Sequence, residues 1–228
     1  MPAAPLHPSI EGRAQPKGEI STAPWRAFHA LLPKILIAAL LLSGAALTAK
    51  ALYIPVKAEV AQVLLNRAFD ESVEHGQPIK PWSWADTAPV ARISVERLAV
   101  SEVVLSGGSG EAMAFGPTEV LDDRARGVTI LAAHRDTHFE FIRDLAVGDV
   151  VALERIDGSM ARFRVHGFET VRHDAFTYPG DSSARAQLAL ATCWPFDTHV
   201  AGPLRRVAWA EEIRSEEIAP PVIAAKAS

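Results

Sequence analysis

The sequence contains one residue type that is rare and reactive, a single cysteine at position 193 among 228 residues. Cys193 ends a strand-like run, LALATC, and the Trp194-Pro195 pair that follows it ends the strand. A thiol at the end of a strand can meet a substrate, although a single cysteine is more often a small buried apolar residue. One cysteine also excludes an internal disulfide and a multi-cysteine zinc site.

A cysteine nucleophile needs partners of two kinds. A free thiol has a pKa of about 8.5, so a nearby imidazole is the usual route to the thiolate. Acyl transfer also needs a donor for the developing oxyanion, which a fixed arginine can supply. His134 ends one strand-like run, and Arg205 and Arg206 begin another shortly after Cys193. Since neighbouring strand residues point to opposite faces, only one of these arginines can face the thiol.

Other kinds of chemistry have no motif in this sequence. It contains no G-x-S-x-G, HExxH, Walker A or GxGxxG pattern. His134 and His138 have the spacing of two ligands on a helix face, but the residues before His134 favour a strand. Five acidic residues are interpreted as solvated loop charges rather than a calcium site: Glu102, Glu111, Glu119, Asp122 and Asp123. We therefore expect no metal and no cofactor.

The composition is that of a folded protein that does not bind nucleic acid. Apolar residues make up 49% of the chain and charged residues 22%, which is enough to bury a core. The net charge is −4, and no long run of Lys or Arg overrides it.

The N-terminal part of the chain predicts a tail and a membrane anchor. Residues 1–30 are rich in proline and small residues and predict a disordered cytoplasmic tail. The uncharged run Ile35–Ala49 would span about 22 Å as a helix, less than a hydrocarbon core of about 30 Å. Flanking residues complete the span if Lys34 and Lys50 extend towards the headgroups. We expect a transmembrane signal-anchor over residues 31–54.

Charge around this run predicts its orientation. Basic residues precede it, which places the N-terminus in the cytoplasm and the remainder outside. A cleaved signal peptide is an alternative, because Ala49-Lys50-Ala51 loosely fits an A-x-A site, but lysine is unfavourable there. A buried core helix is a third interpretation. The basic residues are Arg13, Lys17, Arg26 and Lys34.

Residues 55–89 predict an amphipathic helix followed by a connector rich in Pro and Trp. The helix either forms a stalk or packs on the following domain. Its apolar positions at helical spacing are Val56, Val60, Val63, Leu64 and Ala68.

Residues 90–214 predict a mainly β domain, and residues 215–228 a C-terminal tail. Asp157-Gly158 is typical of a hairpin turn, and THFEFIRDL fits one or two helical turns. Short strands with little helix indicate a barrel or a sandwich. The strand-like runs are ARISVERL, SEVVLSG, GVTILAAH, DVVALER, ARFRVHGFETV, ARAQLALATCW and LRRVAWAEE.

Three segments together resemble the signatures of sortases. They are LAAHRDTHF (131–139), LATCWPF (190–196) and PLRRVAW (203–209), in that order. KPWSWADT (80–87) and AFGP (114–117) are similar to segments found in sortases of Gram-negative proteobacteria. Each motif is weak alone, but their order and spacing make the resemblance specific.

The resemblance covers roughly residues 50–214 and implies a fold and a set of site residues. The implied fold is a sortase-like closed β-barrel of about eight strands with one or two short helices, preceded by an N-terminal transmembrane helix. Cys193 matches the nucleophile and His134 the catalytic histidine. The family's PLR pattern places the functional arginine at Arg205, and Arg206 takes the position of an aromatic residue.

The activity implied by the resemblance is transpeptidation. The thiolate attacks the Thr carbonyl of an LPXTG-like C-terminal sorting signal, and the imidazolium protonates the leaving Gly amine. The arginine steadies the oxyanion or the substrate backbone, and an amine, or slowly water, resolves the thioester. Thr192, Trp194 and Phe196 are the expected substrate-binding side chains.

The resemblance also implies partners and a location. The partners are a protein bearing the sorting signal, an amine acceptor that the sequence does not identify, and the membrane. The expected location is the inner membrane, with one span and a periplasmic catalytic domain. Two other functions remain open: a cysteine hydrolase without transfer, and a non-catalytic β-barrel that binds peptides.

Overall fold

The computed structural model describes residues 23–178, 185–198, 200 and 202–214. The chain divides between Ile54 and Pro55 into two compact units. Of the tail predicted over residues 1–30, residues 1–22 lie outside the described part and 23–30 are helical. The predicted C-terminal tail, residues 215–228, also lies outside it.

The longest element is the helix α1, Ala23–His75. Within the described residues, one helical stretch, Pro33–His75, is long and apolar enough to cross a membrane, with a mean hydropathy of 2.0 in its most apolar window. The apolar side chains of this window are exposed, as Leu40 and Leu42 illustrate. By length and composition this segment is suited to the hydrocarbon core of a bilayer.

The second unit is built on a closed barrel of eight strands, which confirms the predicted fold class. The order around the barrel is β1-β2-β3-β4-β7-β8-β6-β5, and β5 pairs with β1 to close it. The β2–β3 and β4–β7 pairs are parallel, and the other pairs are antiparallel. The strands are β1 (Pro89–Val95), β2 (Val100–Ser106), β3 (Thr118–Asp123), β4 (Val128–Ala132), β5 (Val150–Arg155), β6 (Met160–Arg172), β7 (Gln187–Cys193) and β8 (Leu204–Glu212).

Short helical turns and one tight hairpin complete this unit. The hairpin at Asp157-Gly158 joins β5 to β6 as predicted, and Gly158 has a φ of 79°, a conformation that favours glycine. The helical turn expected in THFEFIRDL is present as a 3-10 turn at Glu140–Arg143. Two further 3-10 turns lie at Glu96–Leu98 and Ala112–Ala114.

The strand β3 was absent from the sequence-based expectation, which treated its acidic residues as solvated loop charges. That interpretation is wrong for Glu119, Asp122 and Asp123, which lie on β3 and pair with arginines. Charged residues occupy half of the positions in TEVLDD, so the strand shows no clear alternation of apolar and polar residues. Glu102 likewise lies on β2 rather than in a loop.

Apolar side chains on the two faces of the sheet form separate clusters. The interior cluster fills the barrel and includes Ile93, Val104, Leu131, Leu153, Val165, Leu188, Leu190, Ala208 and Ala210. The outer cluster lies on the other face of β4, β7 and β8, and consists of Val128, Ile130, Ala189 and Val207 with Leu121, Val171, Phe176, Tyr178, Ala191 and Trp209. Because strand residues alternate between faces, every position on β7 and β8 can be assigned to the face of the interior cluster or to that of the outer cluster.

The C-terminal part of α1 packs on the barrel, so the stalk alternative is wrong for it. Leu65 and Phe69 are fully buried against Val103 and Leu105 of β2. The predicted apolar face was also wrong, because Val56, Val60 and Val63 are more than half exposed, and only Ala68 of the predicted set is buried. Apolar residues occur on most sides of this part of α1, so their spacing alone does not identify the side that packs on the barrel. The packed face lies along Leu65, Ala68, Phe69 and Ser72.

Candidate active site

Strand pairing brings Cys193 and Arg205 together. Cys193 is the last residue of β7, and its partner across the antiparallel ladder is Arg205 of β8. Directly paired residues point to the same face of a sheet. Counting back from Cys193 through Ala191 and Ala189 identifies this as the face of the outer cluster. The thiol is partly exposed, so the pair is open to a substrate.

His134 lies level with Cys193 on the neighbouring strand. Strands β4 and β7 are parallel, with Ala132 opposite Ala191. The ladder continues past the end of β4, because the Ala133 amide donates to the Ala191 carbonyl over 3.3 Å. Extending the register by two residues from Ala132 and Ala191 sets the backbone of His134, which is exposed, level with that of Cys193. The structure therefore assembles the three predicted catalytic residues at the ends of β4 and β7 and the start of β8.

The two adjacent arginines have different surroundings. Arg205 donates through Nη1 to the carbonyls of Gly202 and Leu204, both over 2.9 Å, on the Cys193 side of β8. Arg206 is paired with Thr192 on the opposite face. Its guanidinium lies over Trp194, with 5.3 Å between its Cζ and the ring centroid. The expected alternation therefore leaves Arg205 as the arginine on the same face as the thiol.

Thr192 is in the interior rather than in the open site. It is 2% exposed, and its hydroxyl donates to the Ala133 carbonyl over 2.8 Å. This hydrogen bond ties β7, one residue before Cys193, to the residue that precedes His134. The side chain of Thr192 is therefore turned away from a peptide at the thiol.

Trp194 and Phe196 form an aromatic pair directly after the cysteine. Their ring centroids are 5.4 Å apart in an edge-to-face arrangement. Phe196 packs against the interior cluster, and the Trp194 amide donates to the Leu204 carbonyl over 3.0 Å. Both side chains are half-buried, so they support this segment and also leave part of their surface open.

The sequence interpretation missed Arg135, although it lies inside the quoted HRDTHF segment. Arg135 is 5% exposed and donates to the carbonyls of Pro195 and Val200, over 2.8 and 3.0 Å. The position of Arg135 next to the predicted catalytic histidine could have drawn attention to it. Its burial could not be predicted, because the carbonyl that it contacts lies 60 residues away in sequence. A second missed contact joins this segment to β2, where His138 Nδ1 donates to Glu102 over 2.9 Å.

An apolar surface lies beside the thiol. Ala191 and Val171 of the outer cluster are half-exposed near the ends of β7 and β6. Further along β8, Trp209 stacks on Phe176 with 6.0 Å between ring centroids. Its indole nitrogen donates to Glu169 over 2.7 Å. Apolar side chains with one polar contact therefore lie on the same face of the sheet as the thiol.

The main charged network lies at the other end of β4. Arg155 contacts Glu119 at 3.3 Å, Asp122 at 3.2 Å and the Thr129 hydroxyl at 3.0 Å. Burial raises the pKa of Glu119, the nearby Asp122 carboxylate adds to the increase, and Arg155 opposes it. Among the described residues, no group of three or more His, Cys, Asp or Glu side chains is placed to hold a metal ion.

Comparison with known proteins agrees with this combination of barrel and cysteine site. A sequence model of the sortase domain matches residues 93–213, more than half of the chain. The chain therefore belongs to the sortase family of cysteine transpeptidases, as its motifs predict. No curated protein matches it.

Solved structures that resemble the chain are also sortases, each with low identity. Sortase A of Listeria monocytogenes is 22% identical, covering 57% of this chain and 93% of that one, with a TM-score of 0.46. Sortase C-1 of Actinomyces oris is 21% identical, covering 55% and 75%, with a TM-score of 0.47. Sortase C of Clostridium perfringens, solved with the C-terminal cell wall sorting motif, is 15% identical, covering 69% and 90%, with a TM-score of 0.49.

Proposed function

We propose that this sortase cleaves an LPXTG-like sorting signal through a thioester on Cys193 and transfers the acyl group to an amine. The observation that carries this proposal is the meeting of Cys193, His134 and Arg205 at the ends of three adjacent strands. Each side chain comes from a different strand or the segment after it, so the barrel sets their mutual geometry.

In the first half of the proposed reaction, the Cys193 thiolate attacks the carbonyl carbon of the Thr residue. The resulting tetrahedral intermediate carries a negative charge on its oxygen, which needs a fixed donor. The intermediate collapses as the Thr–Gly bond breaks, and the His134 imidazolium gives its proton to the leaving amine. A thioester between Cys193 and the Thr acyl group remains.

In the second half, an acceptor amine attacks the thioester carbonyl. Neutral His134 accepts the proton that the attacking nitrogen loses, and the Cys193 thiolate leaves. The new amide bond replaces the thioester, so the catalyst returns to its starting state. Water in place of the amine gives hydrolysis by the same route.

Arg205 is suited to the donor role. Both hydrogen bonds that it makes within the described residues use Nη1. A guanidinium has five N–H donors in a fixed fork, so Nη2 and Nε can serve a substrate. The carbonyls of Gly202 and Leu204 hold the group without neutralising its charge. Arg205 then stabilises the oxyanion or a carbonyl of the bound peptide.

The proposal includes the apolar segment and the partners. Residues 31–54 would serve as an uncleaved anchor in the inner membrane, with a cytoplasmic N-terminus. The barrel within residues 90–214 would then meet its protein substrate in the periplasm. The exposed apolar side chains of the helix between residues 33 and 53 support this assignment, because exposing so much apolar surface to water is unfavourable.

The test uses the full chain in detergent with a peptide library built around LPXTG. Mass spectrometry follows cleaved peptide, ligated peptide and the covalent acyl-enzyme, with and without an added amine. We expect ligated product and a thioester adduct on Cys193, both absent from Cys193→Ala.

Other outcomes would favour the two alternatives. Cleavage with no ligation at any amine concentration would favour a cysteine hydrolase. Peptide binding without adduct or turnover would favour a peptide-binding barrel. Protease protection in spheroplasts tests the orientation, because a periplasmic barrel is digested from outside.

A further inference from the structure

Arg135 is a buried cation in the residue after His134. Its side chain is 4% exposed, and its ion-pair partner Asp136, 3.3 Å from Nε, is half exposed. Its two shorter contacts go to the backbone carbonyls of Pro195 and Val200. Burying a guanidinium is unfavourable unless it is well hydrogen-bonded, so a position of this kind is poorly explained by stability alone.

The contacts of Arg135 join the two segments that carry the reactive groups. Arg135 belongs to the segment after β4, which includes His134. Pro195 and Val200 belong to the segment between β7 and β8, which begins directly after Cys193. Two nitrogens of one planar fork reach two carbonyls, a geometry that the single ammonium of lysine does not reproduce.

A second, exposed arginine contacts the same loop. Arg143 donates to the Phe196 carbonyl over 3.1 Å and to Asp197 over 3.2 Å. Its side chain is 46% exposed and that of Asp197 is 88% exposed, so solvent weakens this attachment. Arg135 is therefore the buried, water-excluded part of the contact between the two segments.

We propose that Arg135 is a positioning residue for the Cys193–His134 pair. It holds the segment after the thiol against the segment that carries the imidazole, so that both reach one scissile bond. This inference rests on the proposed function, in which these two side chains act on one substrate. A displacement of about 1 Å between reacting groups can slow catalysis about 100-fold. Because misalignment affects the chemical step rather than peptide binding, we expect replacement of Arg135 to change kcat more than KM.

The test compares Arg135→Lys and Arg135→Met with the wild type as full chains in detergent. Turnover of an LPXTG peptide gives kcat and KM, and iodoacetamide alkylation of Cys193 is followed against pH. We expect Arg135→Lys to lower kcat about 10- to 100-fold with KM changed less than about threefold. The pH profile of alkylation should move towards that of His134→Ala.

Arg155→Lys is the matched control for removing a buried guanidinium. Arg155 lies at the opposite end of β4 and contacts Glu119 and Asp122. We expect its replacement to lower the melting temperature at least as much as Arg135→Lys, with wild-type kcat and a wild-type alkylation profile. If Arg135→Met does not fold, Arg135→Lys, which keeps the charge, still provides the comparison.

The positioning role is overturned if Arg135→Lys keeps wild-type kcat and alkylation profile. It is also overturned if kcat falls only in proportion to the fraction of folded protein, which is the result expected of a residue that contributes only to stability. Failure of the proposed function gives a different result, namely peptide cleavage that persists in Cys193→Ala or is absent from the wild type. The alkylation profile tests Arg135 in that case too, because it needs no substrate.

Discussion

Arginines at the two ends of β4 have different partners. Beyond the end of β4, near Cys193, Arg205 donates to backbone carbonyls, and Arg135 does so in its two shorter contacts, with a longer one to the half-exposed carboxylate of Asp136. Near its start, Arg155 donates to Glu119, Asp122 and the Thr129 hydroxyl. One residue type is thus used to hold backbone segments at one end and to balance carboxylates at the other.

The difference has an electrostatic consequence. A carboxylate partner neutralises an arginine, whereas a carbonyl holds the guanidinium in place and leaves its positive charge intact. A positive charge on this face of the sheet stabilises an oxyanion that forms there. We infer that the Cys193 end of the barrel serves the proposed reaction and the Arg155 end serves stability.

The largest expected effect comes from His134. We predict that His134→Ala lowers kcat about 1,000-fold, because the leaving amine loses its proton donor. Steady-state cleavage of the LPXTG peptide measures this. His166→Ala is the control, since His166 contacts Gln187 at the start of β7 instead. A His134→Ala variant that keeps a tenth of wild-type kcat would remove His134 from the mechanism.

The second prediction separates the adjacent arginines. Arg205→Lys should lower kcat about 100-fold, because one ammonium cannot both bond the Gly202 and Leu204 carbonyls and reach the substrate. Arg206→Lys should lower it less than about tenfold, since Arg206 supports Trp194 from the other face. The same peptide assay reports both. Equal losses would show that strand alternation does not assign the functional arginine.

The third prediction concerns the other end of β4. Arg155→Met should destabilise the fold by about 3 kcal/mol, because Glu119 loses its arginine partner and, within the described residues, Asp122 keeps only Arg124. Chemical denaturation followed by tryptophan fluorescence measures the loss. Turnover of the peptide by the folded variant should match the wild type. A selective loss of kcat would mean that the two ends of the barrel are coupled.

The smallest effect is expected for Glu119→Gln. The pKa of Glu119 is raised in the fold, so the native state binds the proton more tightly than the unfolded chain. The interval that matters lies between the pKa of Glu119 in the unfolded chain and its higher pKa in the native state. Wild-type stability, relative to that of Glu119→Gln, should therefore fall as the pH rises through this interval and stay constant above it. Melting temperatures of both proteins test this from about pH 4, near the ordinary carboxyl pKa, up to about pH 8. A stability difference that moves the other way would show that Arg155 outweighs burial.

Most strands and the three proposed catalytic residues could be predicted from sequence. Alternating apolar residues identify β7, and the Asp157-Gly158 turn identifies the β5–β6 hairpin. The motifs around His134 and Cys193 carried the family membership, which the match over residues 93–213 confirms. These features are local, so a single segment of sequence contains the whole signal.

Features that depend on distant partners were missed or misjudged. The strand β3 is stabilised by pairing with its neighbours despite its acidic composition. The packed face of α1 is chosen by Val103 and Leu105, which spacing along the helix cannot reveal. Arg135 looked like an ordinary charged residue because the carbonyls that bury it come from another loop.

The sequence by itself determined which side chains can do chemistry, where most strands lie, and the family to which they belong. Only the tertiary structure decided which residues face the thiol. Parallel pairing of β4 with β7 places His134 level with Cys193, and antiparallel pairing with β8 places Arg205 opposite it. Register is a property of two strands at once, so neither strand alone specifies it.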